Sequence, residues 1–472
     1  MKTEMENEAF SELTPIQRFF FGKSVFITGA TGFVGKVLVE KLLRCCPGIG
    51  MLYLLMRPKR NKTAEERLDK LFQAELFSKV KEVYPHFRRK VRLVDGDLLK
   101  ERLGISDEHF DEIKANVSIV FHSAARVQFN DPIKVAVQHN IIGTKVFVDM
   151  CHEMPHLEAV VHVSTSYVRR EADNYVLEEI PKTKVTPAQI LNAMEWMDSG
   201  CQQAVEDYML EGKLTTYLVT KALGEVVVSQ ECGDLPTSII RPCNISPTFK
   251  DPFPGWCDSI QGISGLMLAG AKGVLRTLMS VPDLKLNVVP VDLVVNCMIV
   301  SAWHVAKQRP SSIYVVNCVM DYEKLPLADE AILNKALEKR TEYPLVNMFR
   351  YPDFCEKTVL VRVHKKINFI YDIFLRLGRD PWICRIENFN AMKKSLTDGD
   401  EEIFFMDTEN FDWDAYMDDC FLGGRKFLAH EDPSNIPYAK KKGTNMVDSD
   451  NSSQMVPHFI FTVLYLSSFF VW

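Results

Sequence analysis

The sequence lacks an excess of positive charge. Its 56 Lys and Arg residues are outnumbered by 62 Asp and Glu residues, so the formal net charge at pH 7 is −6. Proteins that bind nucleic acid normally carry a basic surface that neutralises phosphates. The composition therefore argues against a nucleic-acid partner.

Cysteine pairs with metal-ligand spacing are also missing. The twelve cysteines are scattered, and although Cys45 and Cys46 are adjacent, no C-x-x-C pair occurs. This pattern predicts neither a zinc site nor a disulfide framework, and we expect no metal. Residues 1–12 are acidic and polar, which is not the composition of a secretion signal. A reducing, intracellular compartment fits these features best.

One stretch lacks charge altogether. Residues 455–472 contain no Asp, Glu, Lys or Arg, and they follow a polar linker at 443–454 and the basic run 440–442. A spanning helix needs about 20 apolar residues, so this tail is near the lower limit. Basic residues mark the cytosolic side of a membrane segment. We predict a C-terminal membrane anchor with the catalytic part facing the cytosol; the alternative is a buried C-terminal helix.

A glycine-rich turn between a strand and a helix carries the most information. The order V-F-I-T-G-A-T-G-F-V-G starts at Val25 and continues into apolar residues at helical spacing. In such a turn Gly29 permits the tight bend, Gly32 lets the backbone approach a pyrophosphate, and Gly35 lets helix and strand pack closely. The free N–H groups of the helix then face the anion. The residues predicted to line this part of a dinucleotide site are Thr28, Gly29, Thr31, Gly32, Phe33, Val34 and Gly35.

Further apolar runs alternate with helical stretches through the first half of the chain. Continuous apolar strands are typical of parallel sheets that are covered on both faces. We predict an α/β fold, a doubly wound parallel Rossmann sheet with a smaller substrate-binding part, and a mainly helical C-terminal domain. The predicted strands are 24–28, 51–56, 91–94, 117–121, 159–164 and 237–240. The predicted units are an N-terminal extension at 1–20, a nucleotide-binding domain with substrate-binding segments at 21–350, a C-terminal domain at 355–442 with helices at 359–377 and 409–428, a linker at 443–454 and the tail at 455–472.

The end of the second predicted strand indicates which dinucleotide binds. An acidic residue about 20 positions after the glycines would bind the ribose hydroxyls of NAD(H). Arg57 stands there instead, followed by Lys59 and Arg60. Because cations suit a 2′-phosphate, we predict NADPH as the cofactor.

Two more strand ends are predicted to border the cofactor. Asp97 and Leu98 follow the third strand, where Asp97 either accepts from the adenine amino group or caps a turn. Small residues follow the fourth strand and let the cofactor approach the backbone; they are Ser123, Ala124 and Ala125. His122 precedes them, and a histidine at the end of a buried strand is more often structural than catalytic.

The candidate catalytic residues are Tyr217, Lys221 and Thr165. Tyr217 and Lys221 are spaced i, i+4, so they share one face of a helix. We expect the ammonium to lower the pKa of the phenol, which could then pass a proton to a carbonyl oxygen that receives hydride. Thr165, which follows the fifth strand, is predicted to supply a second donor to that oxygen, with Ser164 and Ser166 as alternatives.

Together these patterns resemble the alcohol-forming fatty acyl-CoA reductases, which are extended short-chain dehydrogenase/reductases. The matching stretches are 22–43, 162–165, 217–225, 241–242, 254–256, 272–276 and 289–292, with 411–416 and 424–428 in the C-terminal domain peculiar to that family.

The resemblance implies that a long-chain acyl-CoA is reduced to a primary alcohol with two NADPH, and that Tyr217 and Lys221 also contact the cofactor. Lys272 and Arg276 are candidates for binding the phosphates of CoA; the alternative is that they lie on a solvated helix face. It also implies an intracellular membrane, that of the endoplasmic reticulum or the peroxisome, and leaves a homo-oligomer open.

Two other functions share these motifs. One is an NADP(H)-dependent reductase or dehydrogenase of another apolar carbonyl, such as a sterol; the C-terminal domain argues against it. The other is a non-catalytic NADP-binding scaffold at a membrane, which the presence of both Tyr217 and Lys221 argues against.

Overall fold

The computed structural model describes residues 10–440 except 60, 130, 169–174, 199, 211–214, 272–284, 286, 328–368, 370–372 and 374–382. A parallel seven-stranded sheet forms the centre of this part of the chain. In chain order the strands are β1 (Ser24–Thr28), β2 (Leu52–Met56), β3 (Val91–Asp95), β4 (Val117–His122), β5 (Ala159–Val163), β6 (Tyr175–Val176), β7 (Thr237–Pro242), β8 (Asn244–Ser246), β9 (Val288–Pro290), β10 (Tyr314–Cys318) and β11 (Ile383–Cys384). Two small sheets, β6 with β11 and β8 with β9, lie outside the central one.

The strand order of the central sheet is β10-β7-β5-β4-β1-β2-β3. Strands β1 to β3 are added towards one edge and the later strands towards the other, so the order of the strands reverses between β1 and β4. Ligands of doubly wound sheets bind beyond the carboxyl ends of the strands at such a reversal. Thr28 of β1 is in register with His122 of β4, which is in register with His162 of β5. The predicted cofactor and catalytic residues that follow these strands therefore share one edge of the sheet.

Helices cover both faces of the sheet and build the C-terminal part. They are α1 (Pro15–Phe20), α2 (Phe33–Cys45), α3 (Ala64–Gln73), α4 (Ser78–Val83), α5 (Asp107–Asn116), α6 (Ile133–Val137), α7 (Gly143–His152), α8 (Pro187–Trp196), α9 (Gln202–Leu210), α10 (Thr216–Glu231), α11 (Gly262–Ala271), α12 (Val291–Gln308), α13 (Glu387–Lys394), α14 (Asp398–Ile403) and α15 (Trp413–Gly423). A π-helical segment, Gln138–Ile142, joins α6 to α7, and another, Gly424–Leu428, continues α15.

Apolar side chains on both faces explain why most of the strands are rich in hydrophobic residues. Successive side chains of a strand point to opposite faces. Val25 and Ile27 of β1 pack into one core with α2 and α12, whereas Phe26 packs into a second core on the other face. The doubly wound parallel sheet predicted from the sequence is confirmed.

The six predicted strands are present: β1 has the predicted bounds, and those of the other five differ by one or two residues. The seventh, β10 at the edge beside β7, was not predicted because its run Y-V-V-N-C contains a buried Asn317. The Asn317 amide donates to Val176 O and to Arg385 O, both at 2.8 Å, so distant segments satisfy this polar side chain.

The C-terminal part is helical where the structure describes it. Phe389 and Phe404 enter the large core, and Tyr416 packs with α11. The helix predicted at 409–428 begins only at Trp413, because Asp412 caps it by accepting from Ala415 N. The helix predicted at 359–377 lies outside the described residues except for Phe369 and Ile373, which are helical; Lys272 and Arg276 also lie outside them.

Among the residues described, no helix is long and apolar enough to cross a membrane. The predicted tail at 455–472 lies outside them.

Candidate active site

The glycine turn has the geometry that a pyrophosphate requires. Gly29 adopts a φ of +78°, and a Cβ there would lie 2.7 Å from Ala124 N. A Cβ on Gly35 would lie 2.2 Å from Gly29 O, so only glycine lets α2 begin this close to the turn. Gly32 is the N-cap of α2 and offers no side chain to its first N–H groups. Such N–H groups and the positive end of the helix suit an anion.

The end of β4 is tied directly to the end of β1. Ser123 Oγ donates to Thr28 O at 2.9 Å, and Ala124 N donates to Thr28 Oγ1 at 3.3 Å. Ala125 follows and is partly exposed. The predicted cofactor residues of β1 and β4 are therefore neighbours, and their small side chains leave the backbone accessible.

His122 has a structural role. Its Nδ1 lies 2.8 Å from Thr28 Oγ1, and its ring stacks on Phe147 with 4.0 Å between centroids. Burial and the nearby Lys221 ammonium lower its pKa to about 3, so the ring stays neutral. A neutral, stacked imidazole at this depth holds the two strands together.

Arg57 and Asp97 form an ion pair at the ends of β2 and β3, with 3.1 Å between Nη1 and Oδ2. Asp97 also accepts from Leu99 N at 3.2 Å, which is the turn-capping role left open above. Burial alone would raise the pKa of Asp97, but the hydrogen bonds from Leu99 and Arg57 outweigh it and lower the pKa. Leu98 is buried against Gly143.

Arg67 is a second cation at this place, and the sequence analysis missed it. It lies on α3; its guanidinium donates to Arg57 O and, at 2.9 Å, to Thr31 Oγ1 in the glycine turn. Burial and the charge of Arg57 both lower the pKa of Arg67. Two cations that repel each other beside the glycine turn are suited to a phosphate group. The only signal in the sequence was its position on the polar face of an amphipathic helix.

Helix α10 carries Tyr217 and Lys221 to the end of β5. It begins after Thr215, whose hydroxyl accepts from Leu218 N. Lys221 Nζ donates to Val163 O at 2.7 Å and lies 3.4 Å from His162 Nε2. The Tyr217 ring packs edge-on against Phe129, with 5.6 Å between centroids.

The effect expected of Lys221 on Tyr217 is wrong for this structure. Burial raises the pKa of Tyr217 to about 12 rather than lowering it. The Lys221 ammonium instead contacts Val163 O and His162, and burial lowers its own pKa to about 8 despite the opposing charge of Glu225. Tyr217 therefore stays protonated at neutral pH, as a proton donor must.

Thr165 lies where the sequence predicted, directly beyond β5. Its hydroxyl donates to Pro242 O and accepts from Tyr167 N, both at 3.4 Å, which are long hydrogen bonds. The hydroxyl groups of Ser164 and Ser166 are buried and have no partner among the described residues. Buried hydroxyl groups normally find a partner, so this strand end retains donors for a further oxygen.

Comparison with known proteins identifies the family to which this chain belongs. Residues 27–298 match the NAD-binding part of the family described as male sterility protein, and residues 350–431 match its Sterile part. Human fatty acyl-CoA reductase 1 is 33% identical over 463 residues, which cover 91% of this chain and 89% of the relative. The chain belongs to the fatty acyl-CoA reductase family.

Another member of the fatty acyl-CoA reductase family, bovine fatty acyl-CoA reductase 2, is 34% identical over 466 residues, 91% of this chain and 89% of the relative. The match spans both the nucleotide-binding and the C-terminal parts. As a member of this family, the protein is an oxidoreductase that uses a nicotinamide dinucleotide.

Solved structures support the fold. The terminal R domain of the myxalamid PKS-NRPS pathway aligns with a TM-score of 0.57 at 18% identity, covering 90% of this chain and 98% of that one. The reductase domain of a non-ribosomal peptide synthetase from Mycobacterium tuberculosis aligns with a TM-score of 0.58 at 19% identity, covering 86% and 92%.

Proposed function

We propose that the protein reduces long-chain fatty acyl-CoA to the primary alcohol with NADPH. The observation that carries this proposal is the placement of Tyr217 and Lys221 beside the end of β5, two strands from the glycine turn, in a chain that aligns with fatty acyl-CoA reductases over 91% of its length.

The described residues fit a nicotinamide dinucleotide. The N-terminus of α2 at Gly32 would hold the pyrophosphate, and Arg57 and Arg67 would hold a 2′-phosphate. When bound, NADPH would supply a hydride to the carbonyl carbon in each of two successive reductions. Lys221 would bond the ribose hydroxyl groups of the nicotinamide half.

Tyr217 would act on the carbonyl oxygen of the acyl group. In the first reduction its phenol gives a proton to the oxygen, which produces a hemithioacetal; the carbon–sulfur bond then breaks, the hydroxyl proton passes to the sulfur, the thiol of CoA leaves and an aldehyde remains. The phenolate regains a proton from water before the second reduction. In the second reduction the phenol protonates the aldehyde oxygen and the alcohol forms. A pKa near 12 keeps the phenol protonated, yet the phenol remains far more acidic than the alcohol that forms, so it can protonate the developing alkoxide oxygen. Thr165, or a neighbouring serine, would donate a second hydrogen bond to the developing oxyanion.

Replacing Arg67 by Ala is expected to weaken NADPH binding and leave NADH binding nearly unchanged. A charge-assisted hydrogen bond contributes about 1.5–3 kcal/mol, so KM for NADPH should rise roughly 10- to 100-fold. Initial rates with each nicotinamide at saturating acyl-CoA measure the change in preference.

Arg92→Ala is the matched control, because that arginine lies on β3, pairs with Glu112 on α5 and should leave both KM values unchanged. Equal loss of NADPH and NADH affinity in Arg67→Ala would show that Arg67 only supports the local fold, and would contradict its role in choosing the phosphorylated dinucleotide.

We also propose a location. An alcohol with a long hydrocarbon chain partitions into lipid, and the uncharged stretch 455–472 behind the basic run 440–442 has the composition of an anchor. The enzyme would sit on the endoplasmic reticulum or peroxisome with its catalytic part in the cytosol.

Initial rates over a substrate panel test the proposed function. We expect NADPH oxidation with acyl-CoA thioesters of long chain length, with a fatty alcohol as product, and none with a ketosteroid. Oxidation only with the ketosteroid would favour the sterol-type reductase. Tight NADPH binding with no oxidation by any acyl-CoA would favour the non-catalytic scaffold.

A further inference from the structure

Glu178 joins the C-terminal part to the edge of the central sheet. Its Oε1 accepts from Asn317 N, on β10, at 2.9 Å, and its Oε2 accepts from Asn388 N, near the start of α13, at 2.6 Å. The side-chain amide of Asn388 donates a hydrogen bond of 2.8 Å to Val315 O on β10. One carboxylate therefore fixes the first turn of α13 against β10.

Arg241 holds the backbone on both sides of Glu178. Its guanidinium donates to Leu177 O at 2.8 Å and to Glu179 O at 2.6 Å. Arg241 lies on β7 and is 1% exposed, so these hydrogen bonds are inside the protein. Any shift of Glu178 that follows α13 is transmitted to a buried guanidinium.

The same guanidinium also binds Glu225 on α10, the helix that carries Tyr217 and Lys221. Arg241 Nε and Nη2 donate to the two carboxylate oxygens of Glu225 at 2.8 and 2.5 Å, and Glu225 is fully buried. Glu225 lies one turn beyond Lys221 and two turns beyond Tyr217, so the three side chains share one face of α10. A bidentate Arg–carboxylate pair fixes orientation as well as distance.

We infer that Glu178 is a positioning residue for the reduction. It connects the C-terminal domain, through Arg241 and Glu225, to the helix that carries Tyr217 and Lys221, so the packing of that domain determines the position of the helix. This inference rests on the proposed function for its kinetic test. It assigns the C-terminal domain a role in positioning the catalytic helix.

The charge of Glu178 provides a specific readout. Burial raises its pKa to about 7, against the hydrogen bonds from the N–H groups of Asn388 and Asn317, and the charge of Glu387 on α13 adds to the rise. Tyr314 on β10 also faces it; burial and the charge of Glu178 raise the pKa of that phenol to about 12. Above neutral pH the carboxylate accepts both N–H groups, whereas its protonated form accepts them less well.

The substitution Glu178→Gln fixes the neutral form, and kcat is compared with wild type from pH 6 to pH 8 per NADPH-binding site. We expect a ratio of wild-type to variant kcat near 1 at pH 6 and about 5 at pH 8. At pH 6 Glu178 is protonated and resembles glutamine, whereas at pH 8 it is ionised and makes one hydrogen bond that the variant lacks. Other ionisations cancel in the ratio. KM for NADPH should not change.

Glu179→Gln is the matched control, since its side chain is exposed, and its ratio should stay near 1 throughout. A Glu178→Gln ratio that stays at 1 from pH 6 to pH 8 would overturn the inference, as would a constant loss without pH dependence.

Amide hydrogen exchange tests the same link without turnover, so failure of the proposed function would not hide it. In Glu178→Gln at pH 8 we expect amides of both α13 and α10 to exchange several-fold faster than in wild type and in Glu179→Gln. Faster exchange in α13 alone would contradict transmission to the catalytic helix.

Discussion

Replacing Tyr217 by Phe should reduce turnover of long-chain acyl-CoA by about 10²- to 10⁴-fold, the usual contribution of a positioned proton donor. Phenylalanine keeps the ring that packs against Phe129, so the local fold should survive. The dissociation constant for NADPH should stay within about twofold, because the pyrophosphate and ribose phosphate contacts lie on other elements. Oxidation of NADPH and its binding, followed by fluorescence, measure the two quantities.

Tyr208→Phe is the control for this change. Tyr208 lies on α9 with 57% of its surface exposed, and its variant should keep the wild-type rate. Turnover by Tyr217→Phe comparable to wild type would show that another group protonates the carbonyl oxygen.

Replacing Gly35 by Ala should have the second largest effect. The added Cβ would lie 2.2 Å from Gly29 O and 2.8 Å from Ala30 Cα, and backbone atoms cannot move aside as a flexible side chain can. We expect overpacking to cost about 1–3 kcal/mol of stability. The glycine turn should shift away from the pyrophosphate position, and NADPH affinity should fall at least about 100-fold. Thermal unfolding with and without NADPH measures both effects.

Gly424→Ala is the matched control. Gly424 has helical dihedral angles and nothing within 4 Å of the position its Cβ would take, so alanine should be neutral or slightly stabilising there. Unchanged NADPH affinity in Gly35→Ala would mean that this turn does not hold the dinucleotide.

The central sheet could be predicted because its residues obey local rules. Most of the strands are largely apolar runs, and β1 ends in a glycine turn with the spacing typical of dinucleotide-binding folds. Strand β10 was not predicted because it contains the polar Asn317. The side-chain amide of Asn317 donates to the backbone oxygens of Val176 and Arg385, which are distant in sequence, so no local pattern indicates these hydrogen bonds.

The candidate site shows the same division. The spacing of Tyr217 and Lys221 and the cation Arg57 were readable from the sequence, since each depends on one element. The raised pKa of Tyr217, the approach of Arg67 to Thr31 and the connection from Glu178 to α10 depend on how separate elements pack. Burial, which raises the pKa of Tyr217, is a property of the folded chain alone.

The most direct test of the account is the deuterium content of the alcohol formed from a long-chain acyl-CoA with NADPH that carries deuterium in both positions at C4 of the nicotinamide. Two reductions in one site predict an alcohol with two deuterium atoms on C1. An alcohol without deuterium on C1, or recovery of unreacted acyl-CoA from enzyme that binds NADPH tightly, would contradict it.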